Sequence, residues 1–216
     1  MDLNELVEGF RAVATASVAD SVDKVCGKRG YMDHELRPRI NEKRIVGPAV
    51  TVLEGATTEF LPPQHALELI DEAPEGSVMV IALEGDPNVA VWGGLMTAGS
   101  FARGLEGAVL DAGVRDIYEI RRDYDFPIIS RSISPGTTLG RHRTLGANVP
   151  VVCGGIEVSP GDIIVGDLDG VVVVPRASAE AVLAMAEDID RREYEQAKLI
   201  VQAKSLKEGL AKYGRI

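Results

Sequence analysis

The feature that most constrains the fold is an alternation of buried strand patterns and helical patterns in the middle of the chain. Residues 77–83, 108–111 and 128–130 are short apolar runs, typical of strands that are buried on both faces. Helical patterns over residues 94–103 and 116–124 separate these runs. Strands that alternate with helices in this way predict parallel βαβ units.

The chain changes character after residue 149, where short strand patterns follow one another. We predict strands over 151–153, 156–158, 162–166 and 170–174, with turns at Pro160–Gly161 and Asp169–Gly170. A parallel section beside such an antiparallel section predicts an α/β layered sandwich, formed as a single domain by residues 1–216. Residues 178–204 predict a long charged helix, which we expect to pack on a neighbouring subunit because its charged face gains little inside one subunit.

Composition excludes several classes of function. The chain has 216 residues, of which 45% are hydrophobic, and a formal net charge of −10, which argues against a nucleic-acid partner. Cys26 and Cys153 show no metal-binding or redox spacing, so we expect two reduced thiols. The start of the chain lacks a leader pattern, and no apolar run is long enough to span a membrane. We therefore expect a soluble, cytoplasmic protein.

The spacing between two helix starts in the sequence indicates a site that binds an anion and a metal. Gly94 opens the first of the two helical runs, and Arg115–Asp116 open the second, twenty-one residues later. Backbone N–H groups at the start of a helix can receive a carboxylate, and an arginine can bind one bidentately. We expect Asp111 to end the intervening strand and Ala112–Gly113 to form a turn. An anion cradle, an arginine and a metal-binding acid together suit a 2-oxo acid.

The spacing resembles the signature of the metal-dependent 4-hydroxy-4-methyl-2-oxoglutarate (4-carboxy-4-hydroxy-2-oxoadipate) aldolases of the RraA-like family. Stretches at 15–20, 47–52, 126–131 and 158–175 also fit the family pattern, so the resemblance covers nearly the whole chain. The same family includes proteins named as regulators of ribonuclease activity A, some of them misnamed as demethylmenaquinone methyltransferases. The resemblance implies a swivelling β/β/α fold, which agrees with the layered sandwich.

The resemblance also implies a lyase that forms pyruvate, through a pyruvate enolate held by a divalent metal. We expect Asp116 to bind Mg²⁺ or Mn²⁺. Asp111 either reaches the same cation through a water molecule or serves only the turn that follows it. Arg115 would stabilise the enolate oxygen, and the N–H groups of Gly94, Leu95 and Met96 would bind the substrate carboxylate. The side chains of Leu95 and Met96 are expected in the core. Decarboxylation of oxaloacetate should be a side activity, since it forms the same enolate.

In such aldolases the C-terminal helix of a neighbouring subunit brings a carboxylate to the site, and Glu193 and Glu195 are the candidates here. The choice between the two stays open. This arrangement implies a homotrimer or a homohexamer built as a dimer of trimers. His65, Asp86 and Asn88 have positions that suit the border of the pocket. Arg131 and the loop over residues 136–142 have positions that suit recognition of a distal substrate carboxylate.

Other functions are distinguished by specific features. A binding protein that regulates a ribonuclease is the alternative, because an acidic chain could act by charge complementarity. A Schiff-base aldolase is disfavoured, since no lysine lies at a strand end in the apolar middle of the chain. A methyltransferase is disfavoured further, because no glycine-rich turn follows a first strand.

Overall fold

The computed structural model describes residues 1–211. Its helices are α1 (Leu3–Ala12), α2 (Thr15–Cys26), α3 (Gln64–Glu72), α4 (Gly94–Ala102), α5 (Ile117–Asp123), α6 (Ala179–Ala203) and α7 (Leu206–Leu210). Its strands are β1 (Arg37–Pro38), β2 (Ile45–Ala56), β3 (Val78–Glu84), β4 (Ala90–Trp92), β5 (Gly107–Val114), β6 (Ile128–Ile133), β7 (His142–Ala147), β8 (Val151–Cys153), β9 (Ile156–Val158), β10 (Ile163–Gly166) and β11 (Val171–Val174).

One curled sheet carries the fold, with strands in the order β1-β6-β5-β3-β2-β10-β11 and with β4 beside β5 and β7 beside β2. Strands β2, β3, β5 and β6 run parallel, which confirms the predicted βαβ section. The remaining partners of β2 are antiparallel: β10 pairs with its first residues and β7 with its last. Strand β2 therefore joins the parallel section to the antiparallel one, and β8 with β9 forms a separate hairpin.

Three apolar clusters fill the layers. Helices α3, α4 and α5 cover one face of the parallel strands, where Trp92 is fully buried and stacks on Phe126. The β8–β9 hairpin lies over the other face, around Val109 and Ile129. Helices α1, α2 and the first half of α6 pack on β10 and β11 in the third cluster. The mixed α/β sandwich with a long C-terminal helix is thus confirmed.

Helix α6 is divided by its burial pattern. Val182, Leu183 and Ala186 are buried against α1, α2 and the antiparallel strands. Ile189 is also buried, whereas most positions after it are exposed. An apolar stripe thus lies along the first half of α6, and the charged half extends from it. Packing on a neighbouring subunit stays a prediction. None of the helices in residues 1–211 is long and apolar enough to cross a membrane.

Several local features differ from the prediction or were not predicted. Asp111 does not end a strand, because β5 continues through Ala112 and Gly113 to Val114. Two strands were not predicted: residues 90–92 form β4, and residues 142–147 form β7. Helix α2 has no side-chain cap, and the hydroxyl of Thr15 donates to the carboxylate of Asp167. Both cysteines are free thiols, as expected.

Candidate active site

The turn from β4 into α4 is fixed against the end of β5 by hydrogen bonds. The backbone N–H of Arg115 donates to the carbonyl of Trp92 at 3.0 Å. The Trp92 indole N–H donates to the hydroxyl of Thr97 at 2.8 Å, and that hydroxyl donates to the Gly93 carbonyl at 3.0 Å. Since Trp92 and Thr97 are buried, they hold the start of α4 rigidly beside residues 115–116. The sequence offered no signal for these two supporting residues.

Asp116 has a backbone conformation that turns its carboxylate toward α4. Its φ of 61° lies in the left-handed region, which costs a non-glycine residue roughly 1–2 kcal/mol and which Asp tolerates better than most residues. Although Asp116 stands at the N-terminal cap position of α5, its side chain does not cap that helix. Its Oδ2 instead accepts the N–H of Gly94 at 2.9 Å, where the positive end of α4 favours an anion.

The Arg115 side chain lies over Gly93 and beside the carboxylate of Asp116, with Nε 3.6 Å from Oδ2. A Cβ atom at Gly93 would stand 2.7 Å from that same Oδ2, a distance at which one of the two atoms must shift. At Gly94 it would stand 3.6 Å away, an ordinary contact. The close approach of the backbone to the Asp116 carboxylate therefore requires glycine at Gly93.

One of the backbone N–H groups that we predicted to bind the substrate carboxylate is occupied by a carboxylate of the protein itself. The N–H of Gly94 is used by Asp116, whereas Leu95 and Met96 follow in the first turn of α4, whose N–H groups have no partner within the helix. The Leu95 side chain is 91% exposed, so its predicted place in the core is wrong. The Met96 side chain is buried as predicted. An exposed leucine at the mouth of the site makes this region an open surface within one subunit.

A second arginine–aspartate pair lies on the opposite face of the sheet. Arg131 Nε donates to Asp111 Oδ1 at 2.6 Å, and Gly154 N–H donates to Asp111 Oδ2 at 2.7 Å. The guanidinium also contacts the carboxylates of Asp33 and Glu35. Burial opposes the charge of Arg131, but these acidic partners outweigh it and raise its pKa. The pair thereby fixes the β8–β9 turn to β5.

These contacts bear on two predicted roles. Both oxygens of Asp111 are occupied by protein donors, and the Arg131 guanidinium is surrounded by carboxylates. A role for Asp111 at the metal stays a prediction, but its contacts favour a structural role. A role for Arg131 in binding a substrate carboxylate is disfavoured for the same reason, since its charge is already compensated.

Asp116 is the group that could hold a metal at the α4 site. Within residues 1–211, no three His, Cys, Asp or Glu side chains come together as a metal-binding group. Asp116 is 40% exposed, and its Oδ1 accepts no hydrogen bond from any residue of that range. A single carboxylate oxygen open to solvent fits Mg²⁺, which keeps several waters and takes further oxygens from its substrate.

Glu193 and Glu195 lie on the charged half of α6. Glu193 is exposed, and Glu195 is ion-paired with Lys198 one turn further along the helix. The buried half of α6 belongs to the cluster around β10 and β11, whereas Trp92 and Met96 belong to the cluster under α3, α4 and α5. Within one subunit the two glutamates thus lie on a different layer from the Arg115–Asp116 pair.

The other candidates have local partners. His65 pairs with Glu68 on the surface of α3, and Asp86 accepts the N–H of Asn88 in a tight turn. The Asn88 carbonyl accepts the hydroxyl of Ser134, which joins that turn to the end of β6. A cavity of about 610 Å³ lies elsewhere, beside α2 and β11, and none of the predicted site residues lines it.

Comparison with known proteins defines the class of this chain. A family model described as Aldolase/RraA matches residues 15–173, so the chain belongs to the RraA-like family. A relative from Halalkalibacterium halodurans is 33% identical over 186 residues, which cover 85% of this chain and 82% of the relative. That relative is named, provisionally, as a 4-hydroxy-4-methyl-2-oxoglutarate aldolase.

Solved structures of the family superpose well. A protein of unassigned function from Pseudomonas syringae is 28% identical, with a TM-score of 0.85, covering 97% of this chain and 94% of that one. RraAS2 of Streptomyces coelicolor is 26% identical, with a TM-score of 0.78, covering 88% and 94% of the two chains. RraAS2 is described as an unusual member of the RNase ES inhibitor RraA protein family.

Proposed function

We propose that the protein is a divalent-metal-dependent aldolase that cleaves a 4-hydroxy-2-oxo dicarboxylic acid and releases pyruvate. The observation that carries the proposal is the Arg115–Asp116 pair at the N-terminus of α4. There an arginine, a carboxylate oxygen that accepts no hydrogen bond within residues 1–211 and the N–H groups of a helix start converge on one exposed point. The name of the 33% identical relative supports the same reaction class.

The chain's own residues supply binding and charge stabilisation. The N–H groups of Leu95 and Met96, with the α4 dipole, receive the carboxylate of the 2-oxo acid. As the C3–C4 bond breaks, the 4-hydroxyl loses its proton and becomes a carbonyl, and the bonding electrons move onto the 2-oxo oxygen as an enolate. Arg115 stabilises that developing negative charge. Protonation at C3 then gives pyruvate, and oxaloacetate would lose CO₂ through the same enolate.

Asp116 would hold the metal, Mg²⁺ or Mn²⁺, which when bound supplies a Lewis acid for the 2-oxo acid group. The proton acceptor for the 4-hydroxyl must come from another group, because Asp111 has both oxygens occupied. We propose Glu193 or Glu195 of a neighbouring subunit, in a trimer or hexamer, as this group or as the residue that orients it.

The first experiment measures pyruvate release from a panel of 4-hydroxy-2-oxo acids and from oxaloacetate, with EDTA and after addition of Mg²⁺ or Mn²⁺. Because Asp116 is the one protein ligand assigned to the metal, we expect modest affinity, complete loss with EDTA and recovery with either ion. 2-Oxoglutarate, which has neither a 4-hydroxyl group nor a carboxylate β to the ketone, serves as the substrate control. Undiminished activity in metal-free protein would rule out the proposed mechanism.

The second experiment tests whether the site is shared between subunits. Subunits with Arg115→Ala are mixed with subunits that lack both glutamates (Glu193→Gln and Glu195→Gln), after each inactive form is purified. Mixed oligomers should regain part of the activity, because some boundaries then combine an intact Arg115 with intact glutamates. Mixed oligomers that form but stay inactive would show that α6 donates no catalytic group across the interface.

The alternative is a regulator that binds a ribonuclease, in keeping with the RNase ES inhibitor family to which RraAS2 of Streptomyces coelicolor is assigned. The net charge of −10 would suit a basic patch on such a partner. That function does not require the left-handed backbone of Asp116 or the crowding at Gly93, which position a carboxylate beside an arginine. We therefore favour the aldolase.

A further inference from the structure

A group of buried polar atoms lies apart from the Arg115–Asp116 pair. The side chain of Glu54 is fully buried, and neither of its carboxyl oxygens has a hydrogen-bond partner in residues 1–211. Two more atoms of neighbouring side chains lack partners in the same range: the hydroxyl oxygen of Thr144 and Nδ1 of His142. Unpartnered buried polar atoms are rare in folded proteins, so four of them near one another call for an explanation.

The register of the sheet places the three side chains on one face. Glu54 on β2 pairs directly with Thr144 on β7, and His142 lies two residues before Thr144 on that strand. Directly paired residues have Cβ atoms roughly 4.5–5.5 Å apart, and residues two apart on a strand share a face. The side chains are therefore close, but no hydrogen bond joins them directly. Side chains arranged in this way can share a bridging water, which needs roughly 2–4 polar partners.

Apolar residues close the cluster on its other sides. Leu83 of β3 stands beside Glu54 in the parallel register, and α3 covers this face through Ala66, Leu69 and Ile70. The His142 ring lies under Gly85, whose Cβ would stand 3.1 Å from Nε2. Gly85 has a φ of 130°, so the chain passes over the ring in a conformation that suits glycine.

The charged groups of the surrounding elements do not neutralise Glu54. On α3, His65 is paired with Glu68, and on β7, Arg143 lies 3.8 Å from Glu59. Burial raises the pKa of Glu54 to about 7, with no charged neighbour contributing. Burial also lowers the pKa of His142; Asp86 opposes this effect and Arg141 reinforces it. Burial thus disfavours a charged imidazolium beside Glu54.

We propose that Glu54, Thr144 and His142 form a buried proton-binding site, in which a water molecule bridges the carboxyl group to the hydroxyl and the imidazole. In its protonated form the Glu54 carboxyl donates one hydrogen bond and accepts others, so all four unpartnered atoms can be satisfied through one water. In its ionised form the Glu54 carboxylate accepts a hydrogen bond from the same water molecule. The site binds and releases one proton at pH values near neutrality. It is independent of the proposed aldolase activity.

The direct test is infrared spectroscopy of the folded wild-type protein across about pH 5–9, following the carbonyl band of a protonated carboxylic acid. We expect one band that disappears with a midpoint about pH 7 and that is absent from Glu54→Gln. The matched control is Glu84→Gln, an exposed glutamate on the neighbouring strand β3, which should keep the band. The absence of a Glu54-dependent band above about pH 5 would overturn the proposal.

A second variant tests the shared water. Thr144→Val removes one of its partners, so the carboxylate is less well solvated and the midpoint should rise by about half to one pH unit. An unchanged midpoint would overturn the bridged cluster. A ¹³C NMR titration of labelled wild-type protein measures the same midpoint without any variant, and a value at the ordinary 4.5 for the buried glutamate would also overturn the proposal.

Urea unfolding gives an independent readout. Because the pKa of folded Glu54 lies above its unfolded value of 4.5, the folded state holds the extra proton between these pH values. The stabilisation is fully present below pH 4.5 and is lost as the pH rises through about 7. The urea midpoint of wild type should therefore fall relative to that of Glu54→Gln between about pH 5 and 8. Parallel curves for the two proteins would contradict the proposal.

Discussion

Two arginine–aspartate pairs lie near the ends of neighbouring parallel strands. They differ in the exposure of their side chains and in the hydrogen bonds that their carboxylate oxygens accept. In the Arg131–Asp111 pair both side chains are less than one-fifth exposed, and both carboxylate oxygens of Asp111 accept protein donors. In the Arg115–Asp116 pair both side chains are about two-fifths exposed, and one carboxylate oxygen accepts no hydrogen bond in residues 1–211. Identical residue types thus form a structural link in one place and a candidate reaction centre in the other.

The difference shows that residue identity alone does not define a site. In the Arg131–Asp111 pair the opposite charges compensate each other, so removing one partner leaves the other charge without compensation. In the Arg115–Asp116 pair one carboxylate oxygen is left to bind a metal. The geometry of this pair depends on the left-handed backbone of Asp116 and on the absence of a side chain at Gly93. Substitutions should therefore separate the pairs: one set should reduce activity, and the other should reduce stability.

The largest expected effect is on catalysis by Arg115→Lys. Lysine keeps the charge but lacks the planar fork, so it cannot hold the enolate oxygen and the substrate carboxylate together. We expect kcat for pyruvate release to fall about 100-fold or more, on the scale of losing an oxyanion donor, with little change in stability. Steady-state kinetics and urea unfolding measure the two quantities.

The matched variant is Arg131→Lys, which should reduce stability and leave kcat nearly unchanged. Loss of the Nε contact with Asp111 and of the Nη1 contacts with Asp33 and Glu35 should lower the free energy of unfolding by about 2 kcal/mol, with kcat of the folded protein within a few-fold of wild type. If Arg131→Lys reduced kcat as much as Arg115→Lys, the contrast between the two pairs would be wrong.

A smaller effect should distinguish the two adjacent glycines. Gly93→Ala places a methyl group 2.7 Å from Asp116 Oδ2, so the carboxylate must shift and kcat should fall by about tenfold. Gly94→Ala meets Oδ2 at 3.6 Å and should keep activity within a few-fold of wild type, since the helix tolerates alanine well. Equal losses in the two variants would show that the crowding at Gly93 has no functional consequence.

Much of the fold could be predicted from the sequence because its signals are local. Alternating apolar runs identified β3, β5 and β6, and the turns at Pro160–Gly161 and Asp169–Gly170 identified the antiparallel strands. Strands β4 and β7 were missed because each is short or polar and owes its structure to the strand beside it. Tertiary pairing overrides weak local preference in such segments.

The candidate site was predicted in part. The spacing of Gly94 and Arg115–Asp116 placed the pair correctly at the start of α4, because a helix N-terminus and a strand end meet at one edge of a parallel sheet. The sequence could not show that Gly93 carries the steric constraint, or that Asp111 points to the other face. Both depend on the length of β5 and on partners distant in sequence.

The most direct test of the central claim is Mn²⁺ binding, measured by electron paramagnetic resonance, in Asp116→Asn and in Asp111→Asn. Asparagine preserves shape but removes the charge that a hard cation requires. If the Arg115–Asp116 pair is the metal site, Asp116→Asn should abolish Mn²⁺ binding and pyruvate release together. Asp111→Asn should bind Mn²⁺ like wild type and show a lower unfolding free energy. Retained Mn²⁺ binding in Asp116→Asn, with its loss in Asp111→Asn, would contradict the assignment and place the metal at the other pair.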